Sequence, residues 1–458
     1  MKRICAIFST TLSLTTASHS QDPAGYDALI KRLASDFKTP GVAVAVLNDS
    51  GSKEFTFGLS NVETGKPITR ETLFNVASIS KLVTAHAVMR LVDEGKIDLD
   101  KPIENYLKGW RFSESSFDKK LVTTRRVLNH TAGLSGEFGP GFYGSDKLLP
   151  LPDILSGKSP KRKSLRIVYQ PGSKTMYSNL GFGLIQLLIE DVTGKTFEEY
   201  VNESLFTKLR MNSSSFRDPL LLKFSDALAK PYDHRMSPLG QERFVVVAAA
   251  GLISNLADLE KLLLAETKHD GLITKSLTAE LHKAPPEGVY GMGHITTRYG
   301  EKIAYMGHTG LGMGWNSSFQ FIPNSGSGII VLTNGDNGFY IHNTLTCAWY
   351  YSRTKRSDKS CKVAPDKKLN LFEYVLEASY EKGLIEKTEF DKSKAELKAG
   401  RNDLNSGKFE ESIERISVLR KELKAAIKDA ELLGILDQAF DSYSYWIGMP
   451  WMKQTRTK

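Results

Sequence analysis

Cysteine is scarce in this chain, with three in 458 residues. A disulfide-stapled miniature scaffold and a cysteine-rich zinc framework are both excluded. Long apolar runs are missing too, so a membrane-spanning chain is not expected. There is a basic excess, formally +9, but no zinc-ligand spacing and no aromatic RNA-binding signature accompany it. A solvated basic surface is the simpler reading, and nucleic acid is not an expected partner.

What is present is ordinary for a globular protein: 41% hydrophobic and 25% charged residues, in a chain long enough for two or three domains and a large core. Lys2 and Arg3 precede a short apolar run from Ile4 to Leu14, followed by Ala17, Ser18 and Ser20. This has the form of a cleavable signal peptide over residues 1–20, and it points to a periplasmic or secreted protein. Cleavage would remove Cys5 and leave Cys347 and Cys361. They can pair in an oxidising compartment or remain as two buried thiols.

A helix is predicted over Tyr26 to Phe37. GVAVAVLNDSGSKEFTFGLS then reads as two strands joined by a tight turn. From Ser78 to about Leu264 the pattern is mostly helical. Strand patterns return at Tyr290–Arg298, Ile303–Met306, Trp315–Ile322 and Gly328–Thr333, with turns at Tyr299-Gly300-Glu301 and Asn324-Ser325-Gly326. A helix over Phe339–Tyr351 would cover the resulting sheet. The expected fold is therefore α+β: one antiparallel sheet flanked by terminal helices and interrupted by a large helical insertion. That domain spans residues 21–351. A polar linker over 352–368 leads to a small all-α appendix over 369–458, where Phe409, Ile413, Ile416, Leu419 and Leu423 mark one helix face. Trp446 and Trp451 are expected to dock on that appendix.

In the stretch NVASISKLVTAHAVMRLVDEGK, Asn75 to Lys96, the pattern from Leu82 onward is that of a core helix stopping near Gly95, and its entrance is crowded with Ser78, Ser80 and Lys81. A serine hydroxyl is a poor nucleophile until a base takes its proton. Lys81 lies three residues after Ser78, which puts hydroxyl and amine on one face if both are helical. Burial would drive the amine toward its neutral, basic form, and backbone N–H groups at a helix start can hold an oxyanion. Two other Ser-x-x-Lys matches, Ser50 with Lys53 and Ser116 with Lys119, sit in polar turns and read as surface. In Tyr177-Ser178-Asn179, extended backbone would turn Tyr177 and Asn179 the same way, a proton relay beside an amide donor. Tyr200-Val201-Asn202 lies inside a helix pattern and does not compete. His308-Thr309-Gly310 falls on a strand, whereas His269-Asp270-Gly271 does not. His130 reads as a residue that sets loop geometry. The Gly157–Arg166 run reads as a solvated basic loop, and Arg298 is a weaker candidate for meeting a carboxylate.

This ordered trio resembles the serine β-lactamase and penicillin-binding-protein superfamily, whose pattern is Ser-x-x-Lys, Tyr-x-Asn, then Lys-Thr-Gly or His-x-Gly. The likeness runs from about Tyr26 to Tyr351 and includes TTRRVLNHTAGL, YQPGSKTMYSNLGFG and AAGLISNLADLEKLL. It is closest to the class C β-lactamase branch with its D-alanyl-D-alanine carboxypeptidase, D-aminopeptidase and esterase relatives. The resemblance implies Ser78 as acylated nucleophile, Lys81 as its base and Tyr177 as the second proton-transfer group. It implies Asn179, His308, Thr309 and Gly310 as substrate contacts, and the backbone N–H groups of Ser78 and Leu311 as the oxyanion hole. It implies no cofactor and no metal in the reaction. His308, where class C β-lactamases carry lysine, tilts the expectation toward a peptidase, with His308 gripping a substrate carboxylate when charged. The expected partner is a small-molecule or peptide substrate, peptidoglycan among the candidates. Carboxylesterase or β-lactamase activity, or a cell-wall-binding protein with little turnover, are the alternatives. Oligomeric state is left open.

Overall fold

The computed structural model describes residues 23–136, 142–143, 146–158, 163–219, 225–268, 272–284, 289–299, 302–356 and 363–447. The expected leader lies outside them. The chain opens with helix α1 (Pro23–Asp36) and strands β1 (Gly41–Asn48), β2 (Gly51–Asn61) and β3 (Lys66–Pro67). Two short strand pairs belong to the insertion: β4 (Phe74–Asn75) with β7 (Ile253–Ser254), and β5 (Phe142–Tyr143) with β6 (Glu242–Arg243). The chain returns through β8 (Ile295–Tyr299), β9 (Lys302–Gly312), β10 (Trp315–Ile322) and β11 (Ser327–Thr333). The main sheet runs β3-β2-β1-β11-β10-β9-β8, with every neighbouring pair antiparallel. The two ends of the domain meet at β1 and β11, where Val44 faces Val331. The sequence expectation of one sheet with a helical insertion is what the chain builds.

Between those ends lie α2 (Ser80–Asp93), α3 (Thr124–Leu128), α4 (Leu151–Leu155), α5 (Asn179–Thr193), α6 (Phe197–Val201), α7 (Thr207–Leu209), α8 (Val247–Ala250), α9 (Leu256–Lys268) and α10 (Lys275–Leu281). After the sheet come α11 (Gly338–Thr354), α12 (Val363–Glu381), α13 (Lys387–Asn405), α14 (Phe409–Ala426) and α15 (Ala430–Ile447).

The predicted strand over Tyr290–Arg298 is shorter at its start. Gly293 interrupts it at φ 74°, and a Cβ there would lie 2.5 Å from the Lys81 carbonyl oxygen. The backbone is pressed against the head of α2, and glycine alone allows both the angle and the approach. The predicted strand at Ile303–Met306 extends instead to Gly312. Gly300 and Glu301 of the expected turn lie outside the described residues.

Strand alternation divides the core into two clusters. Ala43, Ala45, Ile330 and Leu332 point to the face that carries α2, α5 and α9. Val42, Val44, Ile329 and Val331 point to the other face, against α1 and α11. The C-terminal helices join this second cluster through Leu369, Phe372, Val375 and Leu376. At the seam the Lys368 ammonium sits 4.8 Å over the Phe37 ring and Lys367 5.3 Å over Tyr340.

The linker predicted over 352–368 is therefore corrected at both ends. Helix α11 continues through Thr354, and α12 has already begun at Val363. The apolar partners that keep both ends helical, Phe37 and the α11 face, are far away in sequence. Within the appendix Phe409, Ile416, Leu419 and Leu423 are buried, as their spacing predicts. The Trp446 side chain and Trp451 lie outside the described residues. Cys347 is buried and disulfide-bonded. Cys361, its expected partner, lies outside the described residues.

Phe372 is fully buried at this seam. Phe372→Ala is expected to destabilise the protein by about 3–5 kcal/mol, the usual result of emptying a packed aromatic site. Urea unfolding measures this, and a loss below about 1 kcal/mol would show that the appendix does not share this core.

Candidate active site

Ser78 does not stand on α2 itself, as its spacing from Lys81 suggested, but in the tight turn before it. The turn closes through i to i+3 contacts: the N–H groups of Ile79, Ser80 and Lys81 donate to the carbonyls of Val76, Ala77 and Ser78 at 3.2, 3.3 and 3.0 Å. Ala77 adopts φ 51°, in the left-handed region that costs a β-carbon residue about 1–3 kcal/mol. Asn75 holds it there, its Oδ1 accepting the Ala77 N–H at 2.8 Å. Ser80 donates to the Ala77 carbonyl and accepts the Leu252 N–H at 3.0 Å. Of the two hydroxyls at the helix entrance, then, Ser80 is scaffolding. Ser78 is left part-exposed.

Lys81 is fully buried. Its Nζ lies 2.8 Å from Asn179 Oδ1, 2.7 Å from the Ala249 carbonyl and 3.2 Å from Ser78 Oγ. Burial drives its pKa well below the ordinary lysine value, and no carboxylate lies among these contacts. A neutral amine has two hydrogens and one lone pair. The amide oxygen and the carbonyl can only accept, so they take both hydrogens. The lone pair is left facing the Ser78 hydroxyl, the arrangement a general base requires.

Tyr177 completes the group. Its hydroxyl lies 3.3 Å from Ser78 Oγ, and its ring centroid is 4.9 Å from the Lys81 amine. Burial pushes the Tyr177 pKa up, so it remains a neutral phenol able to donate. Ser178 is extended at φ −135° and caps α5 by accepting the Gly181 N–H. That extended link turns Tyr177 and Asn179 toward the same lysine. Because Asn179 gives its oxygen to Lys81, its NH₂ is free for a ligand.

His130 fixes this loop, as the sequence reading supposed. Its carbonyl accepts the Met176 N–H at 2.8 Å, and its Nδ1 accepts the Ser178 N–H at 3.1 Å. Its ring packs 4.4 Å from that of Tyr177. Burial holds its pKa well below the usual value, so the imidazole is a neutral acceptor.

The strand β9 lines the other side. Gly310 lies so close to Val76 that a Cβ would stand 2.1 Å from its carbonyl oxygen, which brings Thr309 and Leu311 alongside the Ser78 turn. Beyond Gly307, β9 has no pairing with β8, so this stretch is a free strand edge. His308 is buried, and its Nδ1–H donates to the Thr309 carbonyl at 2.6 Å. Burial pushes its pKa down to about 3. The expectation of a charged His308 gripping a carboxylate is accordingly revised. Its Nε2 is a lone-pair acceptor with no partner among the described residues.

The remaining candidates stay apart. Asn48 caps the turn at Ser50, its Oδ1 accepting the Ser50 N–H and hydroxyl at 2.9 and 2.6 Å, and Tyr200 is a core residue on α6. His269, Asp270 and Gly271 lie outside the described residues. Arg298 donates to the Ala284 carbonyl. Two functional groups were missed: the Ala249 carbonyl, a backbone atom with no residue signature, and Tyr290, whose ring lies 5.6 Å from Tyr177.

A nucleophile, a buried neutral amine and a phenol converging on one carbonyl-sized space define a serine hydrolase working by acyl transfer. The chain belongs to the beta-lactamase family, whose model matches residues 26–344. Among curated relatives, penicillin-binding protein 4 of Amycolatopsis lactamdurans is 25% identical over 338 residues, covering 69% of this chain and 86% of that protein. An N-acetylmuramyl-L-alanine amidase of Bacillus subtilis is 28% identical over 203 residues, 42% of this chain and 45% of its own length. Several other relatives are likewise matched over less than two thirds of their length. The octameric penicillin-binding protein homologue from Pyrococcus abyssi superposes with a TM-score of 0.57 at 26% identity, covering 72% of this chain and 76% of that one. A class C beta lactamase shares the fold, with a TM-score of 0.56 at 20% identity over 69% and 95% of the two chains. The family model ends at residue 344, before the appendix begins.

Two pH results follow. With a neutral ester, kcat/KM is expected to fall on acidification through the depressed Lys81 pKa and to be flat above it, because the neutral amine is the active form. A rate that keeps climbing to the ordinary lysine range near 10.4 would contradict this. A matched substrate bearing a free carboxylate should give a superimposable profile between about pH 5 and 8, because His308 stays uncharged there. A fall with rising pH seen only for the carboxylate substrate would show that His308 does become charged.

Proposed function

We propose that the protein hydrolyses amide bonds in cell-wall-like peptides containing D-amino acids, through an acyl-enzyme on Ser78. The observation that carries the acyl-transfer step is the Lys81 lone pair facing Ser78 Oγ, with its two hydrogens committed to Asn179 and Ala249. The peptide substrate is supported by the relatives named as a penicillin-binding protein and an amidase.

In this reading Ser78 Oγ attacks the carbonyl carbon as its proton passes to Lys81. The resulting oxyanion lies against the backbone N–H groups of Ser78 and Leu311. As the tetrahedral adduct collapses, the leaving amine takes the Tyr177 proton, and Lys81 returns its own to the phenolate. Water then attacks the ester with the same groups acting in turn, and Ser78 is restored. Asn179 donates to the acyl-side amide, and Thr309 lies along the edge of β9 where an extended substrate would run. His308 Nε2 accepts from a substrate N–H. No step in this scheme uses a metal or cofactor. The site of action is periplasmic or extracellular, in keeping with the leader.

Carboxylesterase activity is the second reading. It is favoured by the neutral His308 and by Leu311 near the end of β9 and Met313 just after it, both more than half exposed, which would suit an apolar acyl group.

A panel of D-Ala-D-Ala peptide, p-nitrophenyl ester and nitrocefin separates these readings, with the peptide expected to have the highest kcat/KM. Ester preference by more than tenfold would select the second. In either case Ser78→Ala should abolish covalent labelling by a fluorophosphonate or β-lactam and lower turnover on the order of 10⁶-fold. Adducts that persist, or map by mass spectrometry to Ser50, Ser80 or Ser116, would overturn the mechanism.

A further inference from the structure

Glu266 lies on α9 on the α2 side of the sheet, and it is wholly buried. Three of the nine histidines are gathered on its carboxylate. His86 Nε2, from α2, and His294 Nε2, from the residue before β8, lie 2.9 and 3.1 Å from Oε1. His282 Nε2, at the end of α10, lies 2.8 Å from Oε2. His86, His282 and His294 are 2, 8 and 0% exposed. None of these residues takes part in the chemistry at Ser78.

The hydrogen bonding of His294 closes only with a proton or a metal ion between its Nε2 and the carboxylate. Its Nδ1 stands 2.8 Å from the Met292 carbonyl, which can only accept, so Nδ1 carries a hydrogen. In a neutral imidazole Nε2 is then a lone pair. Yet it faces a carboxylate oxygen, another acceptor. Something positive belongs between them. An Nδ1–H held by a carbonyl, with Nε2 aimed at a carboxylate and a second imidazole, is how a metal-bound histidine is oriented.

We propose that Glu266, His282 and His294 bind a divalent transition-metal ion, with zinc the best match. Their donor atoms all lie within 4.8 Å of one another. Tetrahedral zinc, with bonds of about 2.0–2.1 Å, holds its donors about 3.3 Å apart; the two carboxylate–imidazole spacings of 2.8 and 3.1 Å are within a few tenths of an ångström of that, and the two imidazoles would close on each other from at most 4.8 Å. Two imidazoles and a carboxylate are ligands of the right hardness for zinc. His86 of α2 joins the group through its Nε2, 2.9 Å from Glu266 Oε1, and its Nδ1 has no partner among the described residues. The ion would be structural. It would tie α2, α9, α10 and the segment entering β8 together, next to the point where Gly293 presses on the Lys81 carbonyl. The reaction at Ser78 needs nothing from it.

The test uses untagged full-length protein purified without chelators. Metal analysis is expected to find about one zinc per chain. After removal with a strong chelator, Zn²⁺ should restore a higher Tm, and Co²⁺ should give the intense visible absorption of a four-coordinate site. His282→Gln and Glu266→Gln should each weaken Co²⁺ binding by at least about tenfold, with Ser78 still labelled. The proposal is overturned if the purified protein holds no metal and neither ion changes its Tm or spectrum. In that case His294 is an imidazolium paired with Glu266. It is equally overturned if both variants retain stoichiometric zinc. Should a variant fail to fold, the metal content and cobalt spectrum of the unaltered protein decide alone.

Discussion

The structure around Ser78 depends on a lysine amine that is buried without a counter-ion. An isolated buried ammonium is so costly that the group gives up its proton instead. Once neutral, Lys81 has donors for two acceptors and a lone pair for one hydroxyl. The acceptors come from distant elements, Asn179 at the start of α5 and the Ala249 carbonyl on α8. Removing either would leave a buried N–H unsatisfied, at about 1–3 kcal/mol. The amine therefore both ties the insertion to α2 and supplies the base, so folding and chemistry share one set of contacts.

The sheet keeps this site apart from the rest of the chain. Alternating residues of β1 and β11 feed two separate cores, one under α2 and the other under α1, α11 and the C-terminal helices. The appendix thus lies across the sheet from Ser78. Among the described residues it contributes no side chain to the cleft.

Much of the site was legible in sequence because its key pairs are local. Ser78 with Lys81, and Tyr177 with Asn179, are each brought together by the geometry of a few residues. Ser78 falls in a turn before α2 and not in its first turn, because Ala77 takes a left-handed angle that alanine does not advertise. The charge of His308 was misread because burial depends on strands β9 and β10 packing over it, a tertiary fact. Glu266, His86, His282 and His294 carry no mutual spacing that could announce them, since four elements converge to form the group. The helical linker ends were hidden for the same reason: their apolar partners, Phe37 and the face of α11, are remote in sequence. The sheet itself was legible, because alternation and turn residues are short-range signals.

The most direct test of this account is the protonation state of one amine. Protein labelled with ¹³C at lysine Cε, with the Lys81 signal assigned by its loss in Lys81→Arg, reports that state by NMR across a pH titration. The account requires Lys81 to be neutral at pH 7, titrating far below the other lysines. A Lys81 signal that moves with the surface lysines, near pH 10.4, would contradict it.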